Sequence, residues 1–166
     1  MNSKGLASAA ALLIAGAGVV GAGTAAADGP VTSAAQPVTL SSIFRNCNHD
    51  PTHYVSASGF GSGAALIGAG SNHVAAQVNL QTAIPDTRYT VRLIQVPRAA
   101  DRTCTAGDPG VSVGELFTDG TGTGSTTIQG PLVSGMTGAW VSVDGPPPGG
   151  HVIGEFYTSE IAAPLA

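Results

Sequence analysis

The stretch HVAAQVNLQ, residues 73–81, decides the fold class. Val74, Ala76, Val78 and Leu80 fall on one face of an extended chain, and His73, Gln77, Asn79 and Gln81 on the other. That is period two, the pattern of a strand with one face in a core. RYTVRLIQV (88–96) repeats it, with Tyr89, Val91 and Leu93 opposed to Thr90 and Arg92. Shorter candidates flank these: VTLSSIF (38–44), HYVSASGF (53–60), AALIGA (64–69), VGELFT (113–118), STTIQ (125–129), AWVSVD (139–144) and HVIGEFYTS (151–159). Glycine and proline punctuate them, and helical periodicity is nearly absent after residue 27. Short strands at this spacing predict an all-β, antiparallel sandwich or barrel.

Residues 83–91, AIPDTRYTV, narrow the expectation. Pro85, Thr87 and Tyr89 resemble the turn before the penultimate strand of fibronectin type III and related immunoglobulin-like domains. Ala83 stands where that family has leucine. The resemblance implies an immunoglobulin-like sandwich of about seven to eight strands. It also implies a tyrosine corner, in which the phenol bonds back to the main chain. It carries no activity with it, because such folds host many functions. The whole chain also resembles small exported β proteins of high-GC actinobacteria.

That second likeness begins at the N-terminus. Lys4 precedes an uncharged apolar run from Leu6 to Ala22, and Ala25-Ala26-Ala27 offers small residues for cleavage. We read residues 1–27 as a signal peptide, 28–37 as a Pro-containing linker and 38–166 as one β domain. The product is expected in the medium or at the cell envelope, with no membrane span in the mature chain. After residue 27 the only cations are five arginines, while all ten carboxylates remain. Such a chain cannot displace counterions from a phosphate backbone, so no nucleic-acid partner is expected.

Cys47 and Cys104 are the only cysteines. In an oxidising compartment they are expected to pair. Cys47 lies in NCNHDPTHY, residues 46–54, the most chemically loaded segment. One reading is a turn made by Asn48, Asp50 and Pro51 and anchored by the disulfide. The other is a metal site with His49, Asp50 and His53 as ligands, which leaves a fourth position for water. No other cofactor is implied. Gly61-Ser62-Gly63 lacks the spacing of a hydrolase elbow, and no carboxylate pair stands out.

The last hairpin supplies a candidate surface. With Asp144 opposite His151, one face carries Ala139, Val141, Val143, Val152 and Phe156. The other carries Trp140, Ser142, Asp144, His151, Ile153 and Glu155, with Tyr157 diagonal to Trp140. An exposed aromatic face of this kind suits a carbohydrate or protein ligand. The sequence therefore points to a non-enzymatic binding module using Trp140, Tyr157, Ile153, Glu155, His151 and Asp144. The alternatives are a metal protein or metal-dependent enzyme, and a carrier of small apolar ligands.

Overall fold

The computed structural model describes residues 35–53, 55–56 and 59–165. Nine strands follow in chain order: β1 (Gln36–Ser41), β2 (Ser62–Ala69), β3 (His73–Gln81), β4 (Arg88–Val96), β5 (Val111–Phe117), β6 (Gly124–Pro131), β7 (Gly138–Asp144), β8 (Phe156–Ser159) and β9 (Ala163–Pro164). There is no helix among the described residues, and every strand pairing is antiparallel. The hydrogen-bonded path is β5-β4-β7-β8-β1-β2-β3-β6, with β9 beside β7.

The two ends of that path, β5 and β6, pack against each other. A Cβ on Gly114 of β5 would sit 3.4 Å from Ile128 Cδ1 of β6, and Gly130 of β6 leaves no room for one beside Ser112. Glycine at these places lets the two backbones approach. The sheet thus rolls until it nearly closes, in the cyclic order 1-2-3-6-5-4-7-8. Strand β3 lies beside β6 rather than β4, so β3 to β6 form a Greek key.

One core fills the interior. Val74, Ala76, Val78 and Leu80 meet Val91 and Leu93 of β4, Val141 and Val143 of β7 and Tyr157 of β8, all buried. The alternation read in β3 and β4 is therefore the alternation observed. Each such side chain, fully removed from water, contributes about 1.5–3 kcal/mol.

The tyrosine corner is present in kind. The Ile84 N–H donates to Tyr89 Oη at 3.0 Å. Its setting differs, because β4 is the fourth of nine strands and not the penultimate one. The motif fixes a local corner and does not dictate strand order.

Three segment expectations are corrected. The strand expected over 53–60 is turn and bend at its described residues; Tyr54, Ala57 and Ser58 lie outside them. Strand β1 begins at Gln36, inside the expected linker, while residues 1–34 and the signal segment lie outside the described residues. The last hairpin has a different register: Asp144 opposes Phe156, Val143 opposes Tyr157 and Ser142 opposes Thr158. That is a slip of five residues from the expected pairing, an odd number, so the faces of the last strand exchange. The cause lies at the loop. Gly154 crosses so close to Gly145 and Pro146 that a Cβ would sit 2.4 Å from the Gly145 oxygen and 2.5 Å from that of Pro146. The chain bends there, Gly145 N–H bonds Glu155 O at 2.7 Å, and the strand starts only at Phe156.

Candidate functional site

Strands β4 and β7 run side by side with Arg92 opposite Ser142 and Ile94 opposite Trp140. These four side chains share the face of the sheet turned away from the main core. Two irregular segments, 42–53 and 97–109, lie against that face. The Cys47–Cys104 disulfide, with its sulfurs 2.05 Å apart, joins them. Cys47 and Cys104 pack on Trp140 and Ile94 in a small second cluster.

The first segment is a tight hairpin. Arg45 and Pro51 form an isolated bridge. Asn46 N–H donates to Asp50 O at 2.9 Å, and His49 N–H donates to Asn46 O at 2.8 Å. Asn48 Nδ2 bonds Asp50 Oδ2 at 2.6 Å. His49 takes a positive φ of 76°, uncommon for a non-glycine residue though less so for histidine. Its ring packs on Trp140 at a centroid distance of 5.3 Å, and Nε2 bonds Ser159 O at 2.8 Å. Burial pushes its pKa below the usual value of 6.5. The Ser159 bond opposes that shift, Arg45 adds to it, and Asp50 opposes it more weakly. The neutral ring donates through Nε2–H, because a carbonyl can only accept.

Between the two segments and the sheet lies a pocket of about 280 Å³, at the small end of the roughly 300–1,000 Å³ typical of ligand sites. Phe44, Ile94, Ala100, Trp140 and the disulfide are the apolar parts of its wall. Asn46, Thr103, Ser142 and Thr158 are polar and neutral. Arg45, Arg92 and Arg102 are cationic, and no Asp or Glu among the described residues lines the pocket. Arg92 is paired with Asp144 at 2.5 Å. The Nη atoms of Arg45 donate to the carbonyls of His49 and Glu160 at 3.1 and 3.2 Å, and it makes no ion pair among the described residues. Arg102 is exposed and makes no ion pair among the described residues.

The donors of this wall are under-used. Trp140 is only 1% exposed, yet its indole N–H has no hydrogen-bond partner among the described residues; neither have the Nε atoms of Arg45 and Arg92. A buried indole N–H normally finds an acceptor, and leaving a buried donor unmade costs about 1–3 kcal/mol.

The residues singled out from the sequence fare differently. Trp140, Tyr157 and Glu155 are buried and form no open aromatic surface. The alternation of β7 was read correctly for Trp140, Ser142 and Asp144, but the disulfide-linked segments cover that face. Tyr157 points to the opposite side, into the main core, while Phe156 meets Phe44 edge-on at 5.5 Å. His151 and Ile153 are exposed on the loop before β8, separate from Trp140. Glu155 accepts hydrogen bonds from Tyr89 Oη, Tyr157 Oη and Ile84 N. Burial raises the pKa of both phenols well above 10, and the Glu155 carboxylate adds to the shift.

The metal reading is corrected as well. His49 spends Nε2 on Ser159, Asp50 accepts from Asn48, and His53 is exposed. No group of three His, Cys, Asp or Glu among the described residues is placed to hold an ion.

The arginines were missed, though the sequence carried a signal. Each cysteine is preceded at the same spacing by arginine: Arg45-Asn46-Cys47 and Arg102-Thr103-Cys104. Pairing the cysteines brings both guanidinium groups to one pocket. Comparison with protein-family models, with curated proteins and with solved structures returned no match for this chain.

Proposed function

We propose that the protein is a secreted or envelope-associated, non-enzymatic binding module whose ligand site is the pocket beneath the disulfide. One observation carries the reading: among the described residues the buried Trp140 N–H has no acceptor, and the wall has three arginines and no carboxylate. Export is supported by the charged-then-apolar start of the chain and by the cysteine pair, which suits an oxidising compartment. The pocket wall offers no paired acid and base and no activated nucleophile, which favours binding over catalysis. The three guanidinium groups disfavour a purely apolar cargo. For the architecture, we propose a nearly closed relative of the immunoglobulin-like sandwich; the corner at Tyr89 supports the relation.

The test is a thermal-shift screen of the purified protein against small metabolites, followed by emission measurements on its single tryptophan. Ligands of this site should raise Tm, perturb Trp140 emission and lose both effects in Arg102→Ala. A screen in which no compound does all three refutes the reading.

A further inference from the structure

We propose that the ligand of this pocket is a small organic anion, a carboxylate carried on a flat apolar body. This rests on reading the pocket as the ligand site, and names the chemistry that site selects.

The sign of the charge comes first. The sequence has a formal net charge of −4, with six Lys and Arg against ten Asp and Glu. Yet three of those six cations line one pocket, and no carboxylate among the described residues does. Asp144 neutralises Arg92 from outside the wall, so Arg45 and Arg102 set the local potential. In a walled cleft such charges act at lower effective dielectric than on an open surface.

The hydrogen-bonding sense agrees. The unmade groups at the wall are donors only: Trp140 Nε1, Arg45 Nε and Arg92 Nε. The bordering hydroxyls spend their protons elsewhere, so they add no donor for a ligand and the guanidinium groups supply that sense. Ser142 Oγ donates to Asp144, Thr103 Oγ1 to Asp108 and Thr158 Oγ1 to Ile43 O. A ligand that accepts at one end suits the guanidinium of Arg102, which is exposed and without an ion pair among the described residues. A carboxylate does so with two oxygens, and charge-assisted bonds to guanidinium groups are the stronger kind.

The rest of the wall gives the body. Phe44, Ile94, the ring of Trp140 and the disulfide make the apolar part of the wall and suit contact with an apolar ring. About 280 Å³ is room for a single small ring with its carboxylate.

The experiment titrates the purified protein with benzoate, with its neutral analogue benzamide and with inorganic phosphate, at constant ionic strength. Trp140 emission and calorimetry are the readouts. Benzoate should bind saturably, benzamide about tenfold more weakly or worse, and phosphate more weakly than benzoate. Arg102→Ala, an exposed position, should weaken benzoate by about tenfold with Tm unchanged. Arg88→Ala, outside the pocket and paired with Glu115, should leave binding intact. Equal binding of benzamide and benzoate overturns the anion assignment but leaves the pocket as a ligand site. Phosphate binding tighter than benzoate overturns the organic body alone. Silence from all three probes overturns the inference. It spares the pocket reading only where the metabolite screen yields Arg102-dependent ligands.

Discussion

Replacing Glu155 by alanine should destabilise the protein by about 3–5 kcal/mol. The carboxylate is 2% exposed and has no cation paired with it among the described residues. Three donors hold it: Tyr89 Oη and Ile84 N on Oε2, and Tyr157 Oη on Oε1. Both phenols are 0% exposed and already accept backbone bonds, Tyr89 from Ile84 N at 3.0 Å and Tyr157 from Gly61 N at 2.8 Å. Alanine removes the acceptor for both phenol protons. Each orphaned donor costs about 1–3 kcal/mol, and the lost packing under Gly59, whose backbone lies against Glu155, adds to that. The sum is a large fraction of a stability of about 5–15 kcal/mol. Urea unfolding followed by Trp140 emission, at unchanged m, measures it. Adding Tyr157→Phe to Glu155→Ala should cost less than the two single losses summed, since the phenol proton that lacks an acceptor is then gone while the Gly61 N–H loses its acceptor in either Tyr157→Phe protein. A loss under about 1 kcal/mol, or strictly additive effects in the double variant, refutes the reasoning.

Three further outcomes follow from the same structure. Opening the disulfide, by Cys47→Ser with Cys104→Ser, should cost about 4 kcal/mol in the chain-entropy model, because it closes a loop with a sequence separation of 57; chemical denaturation measures the loss, and Trp140 emission should shift to the red as its cover loosens. His49 has a folded pKa below its unfolded 6.5, so its contribution is present above that value and is lost as pH falls through the folded one. Melting curves between pH 7 and pH 5 should show a decline that His49→Gln reduces, and equal slopes in the two proteins rule the histidine out. Tyr89 and Tyr157 have folded pKa values raised above 10, so their contribution is complete below that value and disappears as pH rises through the folded ones. Alkaline difference absorbance should show two phenols that ionise only with unfolding; their titration near pH 10 in the folded protein contradicts the cluster.

Much of the sheet was legible because it follows a local rule. From Ala76 to Gln81 of β3 and from Arg88 to Leu93 of β4 one face is buried and the other is not, so the residue pattern and the burial pattern coincide. The end of the chain defeats that rule. Strand β8 is buried along its whole length, so its two faces are equally covered and hydrophobicity does not choose between registers. Glu155 misled further: a carboxylate next to the strand marks a solvent face only when water is its partner, and here two phenols and an amide take water's place. What separates the registers is the loop, where Gly154 passes too close to Gly145 and Pro146 for the strand to begin earlier.

The candidate site was hidden for a different reason. Its walls come from segments 42–53 and 97–109, which lack periodicity, laid over a face whose own alternation was clear. Sequence pattern describes what a strand offers; it is silent on what folds back to cover it. The covalent link is the exception, because a disulfide states a tertiary contact in one dimension. Once Cys47 and Cys104 are paired, the flanking residues Arg45, Asn46, Arg102 and Thr103 line one pocket. Arg45 and Arg102 stand there with no carboxylate paired to either among the described residues, in an otherwise acidic protein. A bare structural clasp has no need of two such cations. An anion in the pocket is attracted by both, which is the physical reason to look for a ligand at this clasp rather than at the exposed aromatic face that the pattern first suggested.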